Sequence, residues 1–353
     1  MRVLAILSHV DLPEAHLLAG LQHAGIALLV LCKMESRNLE ILREAGVPCK
    51  NIHLKGRVDR RSIRTIRAAV KTHAPDIIHT FNKKALINSL LATSGTKIRH
   101  ITYRGIVGNI SAWNPEARLT FFNDRVEHIV CVCDAVRDSL LQLDMPPRKV
   151  VRIYKGHDPS WYQAWSRPQL LQTHSIPEDK VIIGTSAQWR PRKGLDVLLL
   201  AISRLQHPDI HLLVAGKVEK RTARQIHRNP HLRDCVHLLG NIPDAPARMG
   251  ACDLFVMPSL RREGFAKSII ETLIQGVPAI ISNCGGLPEM VQHEKTGLIV
   301  TPGDPADLAQ AIHRLTHDTA LRQQLGQAAR THICNAFPIE QTIQQHLQLY
   351  AKT

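Results

Sequence analysis

Two kinds of hydrophobic pattern alternate along most of the chain. Short apolar runs are separated by longer stretches in which apolar positions recur every three or four residues. In the first half Val3–Leu7, Ala27–Cys32, Asp76–Thr80, Arg99–Thr102 and His128–Cys133 read as strands, and Pro13–Ala24 as a helix ending near Gly25. In the second half Val181–Thr185, His211–Ala215, Val236–Leu238, Leu254–Met257, Ala279–Ser282 and Gly297–Val300 read as strands. Leu195–Leu205, Lys267–Gln275 and Pro305–Leu315 read as helices between them. Pro338–Thr353 predicts a last, polar helix with Ile339, Ile343, His346 or Leu347, and Tyr350 along one side. Strands alternating with helices predict α/β domains with doubly wound parallel sheets, in which ligands sit beyond the carboxyl ends of the strands.

Length divides the pattern. A chain of 353 residues exceeds one ordinary core, and turn formers crowd 154–162, followed by Pro168. The expected division is 1–160 and 168–337. No apolar run approaches the roughly 20 residues of a membrane span. The opening Met1–Leu7 is too short for a signal peptide. Asp11 and Glu14 follow at once, so a first buried strand is expected. The eight cysteines form no CxxC pair, and Cys131 and Cys133 alternate as in a strand, which points to a reduced, cytoplasmic setting. Twenty histidines include no HExxH, and Pro208 interrupts the His207/His211 spacing, so no metal site is expected.

Charge changes the picture more. The formal net charge is +15, and residues 1–165 hold 24 basic against 14 acidic side chains. Such a field draws polyanions: nucleic acid, anionic lipid headgroups or phosphorylated substrates. Low aromatic content and the lack of a nucleic-acid motif weigh against nucleic acid. Within 57–71, Ile63, Ile66 and Val70 form an apolar side, while Arg57, Arg60, Arg61, Arg64, Arg67 and Lys71 crowd the rest. This reads either as a solvated surface helix or as a contact for an anionic membrane surface or phosphorylated acceptor, to which Lys83 and Lys84 would add.

The most informative segment is Pro258-Ser-Leu-Arg-Arg-Glu-Gly-Phe-Ala-Lys-Ser-Ile-Ile-Glu271, running on to Pro278. A strand ends at Met257, and a loop carrying Glu263 and Gly264 opens a helix. The first-turn amides of Phe265, Ala266 and Lys267, with the helix dipole, suit an anionic group such as a diphosphate. Gly264 permits close approach of a ligand to the backbone. Glu271 lies about one turn into the helix, so both carboxylates can flank one ligand.

The spacing of Glu263 and Glu271 resembles the E-x7-E motif of the family 4 glycosyltransferases, retaining enzymes of the GT-B fold. Further blocks in order resemble the same family: Pro191-Arg-Lys-Gly194, Leu213-Val-Ala-Gly216, Leu239-Gly-Asn-Ile242, Ala251–Ser259, and Asn283-Cys-Gly-Gly286 running on to Asp304. The resemblance is strong over 181–315 and weaker in the first half, where 75–80, 131–136 and 152–156 fit the family's layout. It implies two Rossmann-like domains facing an interdomain cleft. The first (1–160) would bind the acceptor and take back the helix 338–353; the second (168–337) would bind the nucleotide-sugar donor. It implies catalytic roles for Lys193 and Glu263; Arg104, standing where relatives often show His-Gly, is a third catalytic candidate that could contact sugar or phosphate. Lys193, with Arg190 and Arg192, would hold the donor diphosphate, aided by the backbone at Gly264, Phe265 and Ala266. Glu271 would bind the ribose, Glu263 the transferred sugar, Asn241 and its neighbours the base, and Gly285 and Gly286 would line the cleft. His9 and Asp11, at the end of the first strand, are the acceptor candidates. His157, in the linker, reads as structural. No metal or cofactor is implied beyond the nucleotide-diphosphate sugar as co-substrate, and no D-x-D triplet occurs.

Three positions depart from the family pattern. Gln188 stands where relatives carry a basic residue, Ser8-His-Val-Asp-Leu-Pro13 replaces a Gly-Gly loop, and Tyr103-Arg-Gly105 replaces His-Gly. The expected activity is transfer of a hexose-type sugar to a cell-envelope glycan or lipid-linked acceptor, lipopolysaccharide core among them, at the inner face of a membrane. The alternatives are an epimerase on the same architecture, a degenerate donor-binding protein without turnover, and a basic nucleic-acid-binding protein.

Overall fold

The computed structural model describes residues 1–108, 110–111, 113–186 and 190–352. It divides into two compact units, Met1–Gly156 with Phe337–Thr353, and His157–Ala336.

The first unit is built on seven parallel strands: β1 (Arg2–Ile6), β2 (Ala27–Cys32), β3 (Cys49–Asn51), β4 (Ile77–Thr80), β5 (Arg99–Arg104), β6 (Val126–Cys131) and β7 (Val150–Arg152), in the order β3-β2-β1-β4-β5-β6-β7. The central strands are buried on both faces and therefore read as unbroken apolar runs, Leu4, Ile6, Leu29, Leu31 and Ile78 sharing one core. β3 and β7 escape the hydrophobic pattern. Each has three residues at a sheet edge, too few to show a period, and backbone pairing alone defines them. Cys133 lies beyond its expected strand: β6 stops at Cys131, and Cys133 is the N-cap of the helix Asp134–Leu141. All eight cysteines are free thiols.

The final helix, Ile339–Ala351, packs on this first unit. Thr342 Oγ1 donates to the Tyr154 carbonyl (2.9 Å) and accepts the Gly156 amide (2.9 Å). Tyr350 Oη shares a 2.7 Å hydrogen bond with His79 Nδ1, and His346 lies against the same ring. Gly20 leaves the space that Ile343 fills; a Cβ there would strike the Ile343 side chain.

The second unit carries six parallel strands: β8 (Val181–Ser186), β9 (Ile210–Ala215), β10 (Val236–Gly240), β11 (Leu254–Met257), β12 (Ala279–Ser282) and β13 (Gly297–Val300), in the order β10-β9-β8-β11-β12-β13. Helices Leu195–Leu205 and Pro305–His317 close one core through Leu198, Ile202, Leu308, Ile312 and Leu315 against Ile183, Leu212, Leu254 and Ile280. In both sheets the strand order reverses beside the first strand, between β1 and β4 and between β8 and β11. The carboxyl ends of the strands beside such a reversal are the usual ligand position in open α/β sheets. Among the described residues no helix is long and apolar enough to cross a membrane.

Candidate functional site

The chemistry gathers where β8 and β11 end. Residues 187–189, Gln188 included, lie outside the described residues. Arg190 is exposed and caps a single 3-10 turn, Pro191–Lys193, which Gly194 ends at φ +70°. That left-handed conformation disfavours any Cβ, and a Cβ at Gly194 would also collide with the Pro258 carbonyl oxygen. The turn is thus pressed directly onto the loop after β11. The Leu260 amide donates to the Arg192 carbonyl (2.7 Å), stitching the two loops together.

This stitching brings Lys193 and Arg192 onto Glu263. The carboxylate is only 5% exposed and accepts from Arg192 Nη1 (3.2 Å), Lys193 Nζ (3.0–3.1 Å) and Ser259 Oγ (3.0 Å). Three donors satisfy a buried carboxylate that would otherwise be costly. Gly285 and Gly286 stand behind the same residue. Gly285 has φ +57°, a Cβ there would strike the Glu263 carbonyl oxygen, and the Gly286 amide donates to that oxygen (3.2 Å). These glycines therefore support the acid's backbone.

Gly264, buried, and Phe265, half-buried, lead to the N-cap Ala266 of the helix Lys267–Leu273. Ala266 has no side chain with which to cap the helix. Glu271, 6% exposed, pairs with Lys267 Nζ at 3.3 Å, one turn back toward the same helix start. Ser186 Oγ, the last residue of β8, donates to Ser268 Oγ (3.0 Å) and ties this helix to the first loop. Asn241 is not drawn into the cluster: it is exposed beyond β10, two strands from β8.

The first unit holds the other expected residues. Arg104 ends β5, buried, with its Nη2 on the Gly108 carbonyl and its guanidinium 5.3 Å from the Phe121 ring centroid. Among the described residues its buried Nε has no hydrogen-bond partner, and burial lowers its pKa to about 10. His9 is exposed, 3.4 Å from Lys33 Nζ. Asp11 is committed to structure: it is the N-cap of the helix Leu12–His23, forms a capping box with Glu14, and binds Lys155 Nζ at 2.7 Å. Glu14 binds the same Nζ at 3.0 Å, and the Tyr103 ring lies 5.5 Å from it.

Two family models match in succession and together cover most of the chain. Residues 15–161 match the model described as Glycosyltransferase Family 4, and residues 166–332 match Glycosyl transferases group 1. The chain belongs to glycosyltransferase family 4. A lipopolysaccharide core biosynthesis glycosyltransferase of Rhizobium meliloti is 24% identical over 88% of this chain and 92% of its own length. N-acetyl-α-D-glucosaminyl L-malate synthase of Bacillus anthracis is 28% identical over 62% of this chain, but the match spans only 59% of that relative. Among solved structures, Anabaena HepE in complex with UDP superposes with a TM-score of 0.84 over all of both chains at 20% identity. The fold is GT-B.

In this family 4 chain, sequence reasoning missed four polar partners. Ser259 was visible within the block 251–259, but its hydroxyl meets Glu263 only because the loop folds back over four residues. Ser186 and Ser268 are 82 residues apart and carry no spacing signal. Lys155 stood in the quoted segment 152–156, yet its partner Asp11 lies 144 residues away.

Proposed function

We propose that this family 4 protein is a retaining, metal-independent hexosyltransferase, moving a sugar from a nucleotide-diphosphate donor to a cell-envelope glycan or lipid-linked acceptor of the lipopolysaccharide-core kind. The reading is carried by one observation: Arg192 and Lys193 converge on buried Glu263 at the switch point of the second sheet.

Two cations over one carboxylate leave surplus positive charge there. In this reading the donor diphosphate lies against Lys193 and Arg192, with Arg190 at the rim and the backbone of Gly264, Phe265 and Ala266 beside the helix start. As the sugar–phosphate bond breaks, charge grows on the departing phosphate oxygen. Fixed cations stabilise it more in the transition state than in the ground state. Glu263, released in part from its cations, accepts from hydroxyls of the transferred sugar, and Glu271 accepts from the ribose. Asn241 meets the base. The departing phosphate oxygen takes the acceptor's proton on the face it leaves, so the anomeric configuration is kept without a protein nucleophile.

The first unit is assigned to the acceptor, with His9 and Arg104 as its contacts and Asp11 positioning the loop that carries His9. Arg104 suits this role because, among the described residues, its buried Nε meets no acceptor. The name of the R. meliloti relative supports an envelope acceptor, and HepE, crystallised with UDP-glucose, makes UDP-sugars the first donors to try. The helix Arg60–His73 supports a membrane-surface setting: Ser62, Ile66 and Ala69 are buried, while Arg60, Arg61, Arg64, Arg67 and Lys71 are exposed.

A thermal-shift screen of uridine, guanosine, adenosine and cytidine diphosphate sugars identifies the donor. Transfer from it is then followed by NMR of the product's anomeric proton, with and without EDTA. Retention at an undiminished rate in EDTA is expected. Inversion, or loss of turnover on chelation, would falsify the mechanism, and an altered free nucleotide sugar would mark an epimerase.

A further inference from the structure

Four of the large apolar side chains that the first unit exposes belong to segments tied to one helix. Trp113 is 86% exposed, Leu119 70%, Val58 64% and Leu91 42%. Leu91 lies on the helix Lys83–Ala92, and the segments that carry the other three are bonded to that helix. Asn88 of that helix clamps residues 57–59, donating from Nδ2 to the Arg57 carbonyl (3.0 Å) and accepting the Asp59 amide (2.8 Å). Glu116 pairs with Lys83 (2.7 Å) and Arg57 (3.4 Å), which anchors the short helix Pro115–Arg118 between Trp113 and Leu119. Arg125 then donates to the Leu90 and Thr93 carbonyls (2.8 and 2.6 Å), holding the segment after Leu119 along the same helix.

Cations are interleaved with these apolar tips. Arg67 Nε donates to the Ala92 carbonyl (3.3 Å), next to Leu91. The Arg118 guanidinium lies 5.9 Å from the Trp113 ring centroid. Arg57 flanks Val58, and Arg60, Arg61 and Arg64 continue along the neighbouring helix. An isolated exposed leucine means little, but several around one helix, set among arginines and led by a nearly bare tryptophan, are a different case.

We propose that this face docks on an anionic lipid bilayer, with Trp113 and Leu119 seated at headgroup depth and the arginines on lipid phosphates. The inference deepens the membrane-surface contact proposed above by naming an insertion element that the basic helix alone lacks. Its chemistry fits two physical requirements. Tryptophan is favoured at the membrane–water boundary because its ring is apolar while its N–H stays wet. Stable peripheral attachment needs an apolar anchor and a cationic patch together, since either alone is weak and reversible.

The full chain is tested by flotation with phosphatidylglycerol-containing vesicles against pure phosphatidylcholine vesicles, without donor. Trp113 is the single tryptophan of residues 1–156, so its blue shift on binding disappears in Trp113→Ser while the remaining tryptophans report no change. Binding selective for the anionic vesicles is expected. Trp113→Ser/Leu119→Ser should weaken it about ten-fold or more, and Arg64→Gln/Arg67→Gln about five-fold per charge, an effect erased by salt. Both pairs should keep the wild-type melting temperature and nucleotide affinity. If the serine pair binds as tightly as wild type, insertion is wrong although a purely electrostatic contact survives. If no vesicle binds, or charged and uncharged vesicles bind alike, the docking face itself is refuted. Nucleotide binding is scored separately, so loss of the donor reading would not be mistaken for either result.

Discussion

Single residues carry the donor reading, and Lys193 carries most of it. Its ammonium sits 3.0 Å from Glu263 on a turn that Gly194 terminates, so removing it changes charge without disturbing a core. Lys193→Ala should lower kcat/KM by about 10²–10³, the usual cost of losing one preorganised charge partner of a leaving group, with a melting temperature near wild type. An effect below ten-fold in steady-state kinetics would remove Lys193 from the mechanism. Lys155 is a different kind of residue. It neutralises Asp11 and Glu14 in a largely buried pocket, and Glu14 is pushed toward a higher pKa chiefly by its burial. Lys155→Met leaves two carboxylates facing each other without a counter-charge and should destabilise the first unit by about 3 kcal/mol, measured by denaturant titration. A change below about 0.5 kcal/mol, the size typical of a surface substitution, would show the triad to be solvated. Lys193 and Glu263 were legible because their motifs place them at loop-to-helix starts. Lys155 was not, because no local pattern announces a partner across the sheet.

At the scale of elements, the last helix shows how a polar segment is made structural. His346 and Tyr350 lie on the stripe expected of it, but their value comes from His79 on β4, buried beneath them. Burial holds both imidazoles well below their ordinary pKa, His346 at about 4. Because the folded rings resist protonation, the unfolded chain binds more protons than the native one below its ordinary histidine value of 6.5. Stability should therefore fall as pH drops from about 6.5 toward about 4. Glu14 and Lys155, which line the same small cavity, belong to the same balance. Melting temperatures across that window should decline in wild type and less steeply in a His346→Gln variant; identical slopes would absolve the ring. The edge strands β3 and β7 teach the complementary lesson. Three residues show no period, and only pairing to β2 and β6 makes them strands.

At the scale of the molecule, each unit has its own sheet, and the cluster of Arg192, Lys193 and Glu263 proposed to hold the donor belongs wholly to His157–Ala336. A nucleotide that binds there adds RT ln(1 + [L]/Kd) to that unit, about 2.7 kcal/mol at a hundred-fold excess over Kd. Calorimetry with the donor nucleotide should therefore raise the transition of the second unit first, and a shift confined to the first unit would misplace the site. The uneven charge was readable at once from composition. That it meets bare apolar side chains around one helix was not, because Val58, Leu91, Trp113 and Leu119 are scattered in sequence. The order of residues by itself determined the alternation of strands and helices, the family motifs, and the loops from which Lys193 and Glu263 project, since all of these rest on local periodicity and spacing. Only the tertiary structure decided which polar groups meet. Contacts such as Ser259 with Glu263, Lys155 with Asp11 and Tyr350 with His79 depend on strand order and loop closure, and chain separation carries no trace of either.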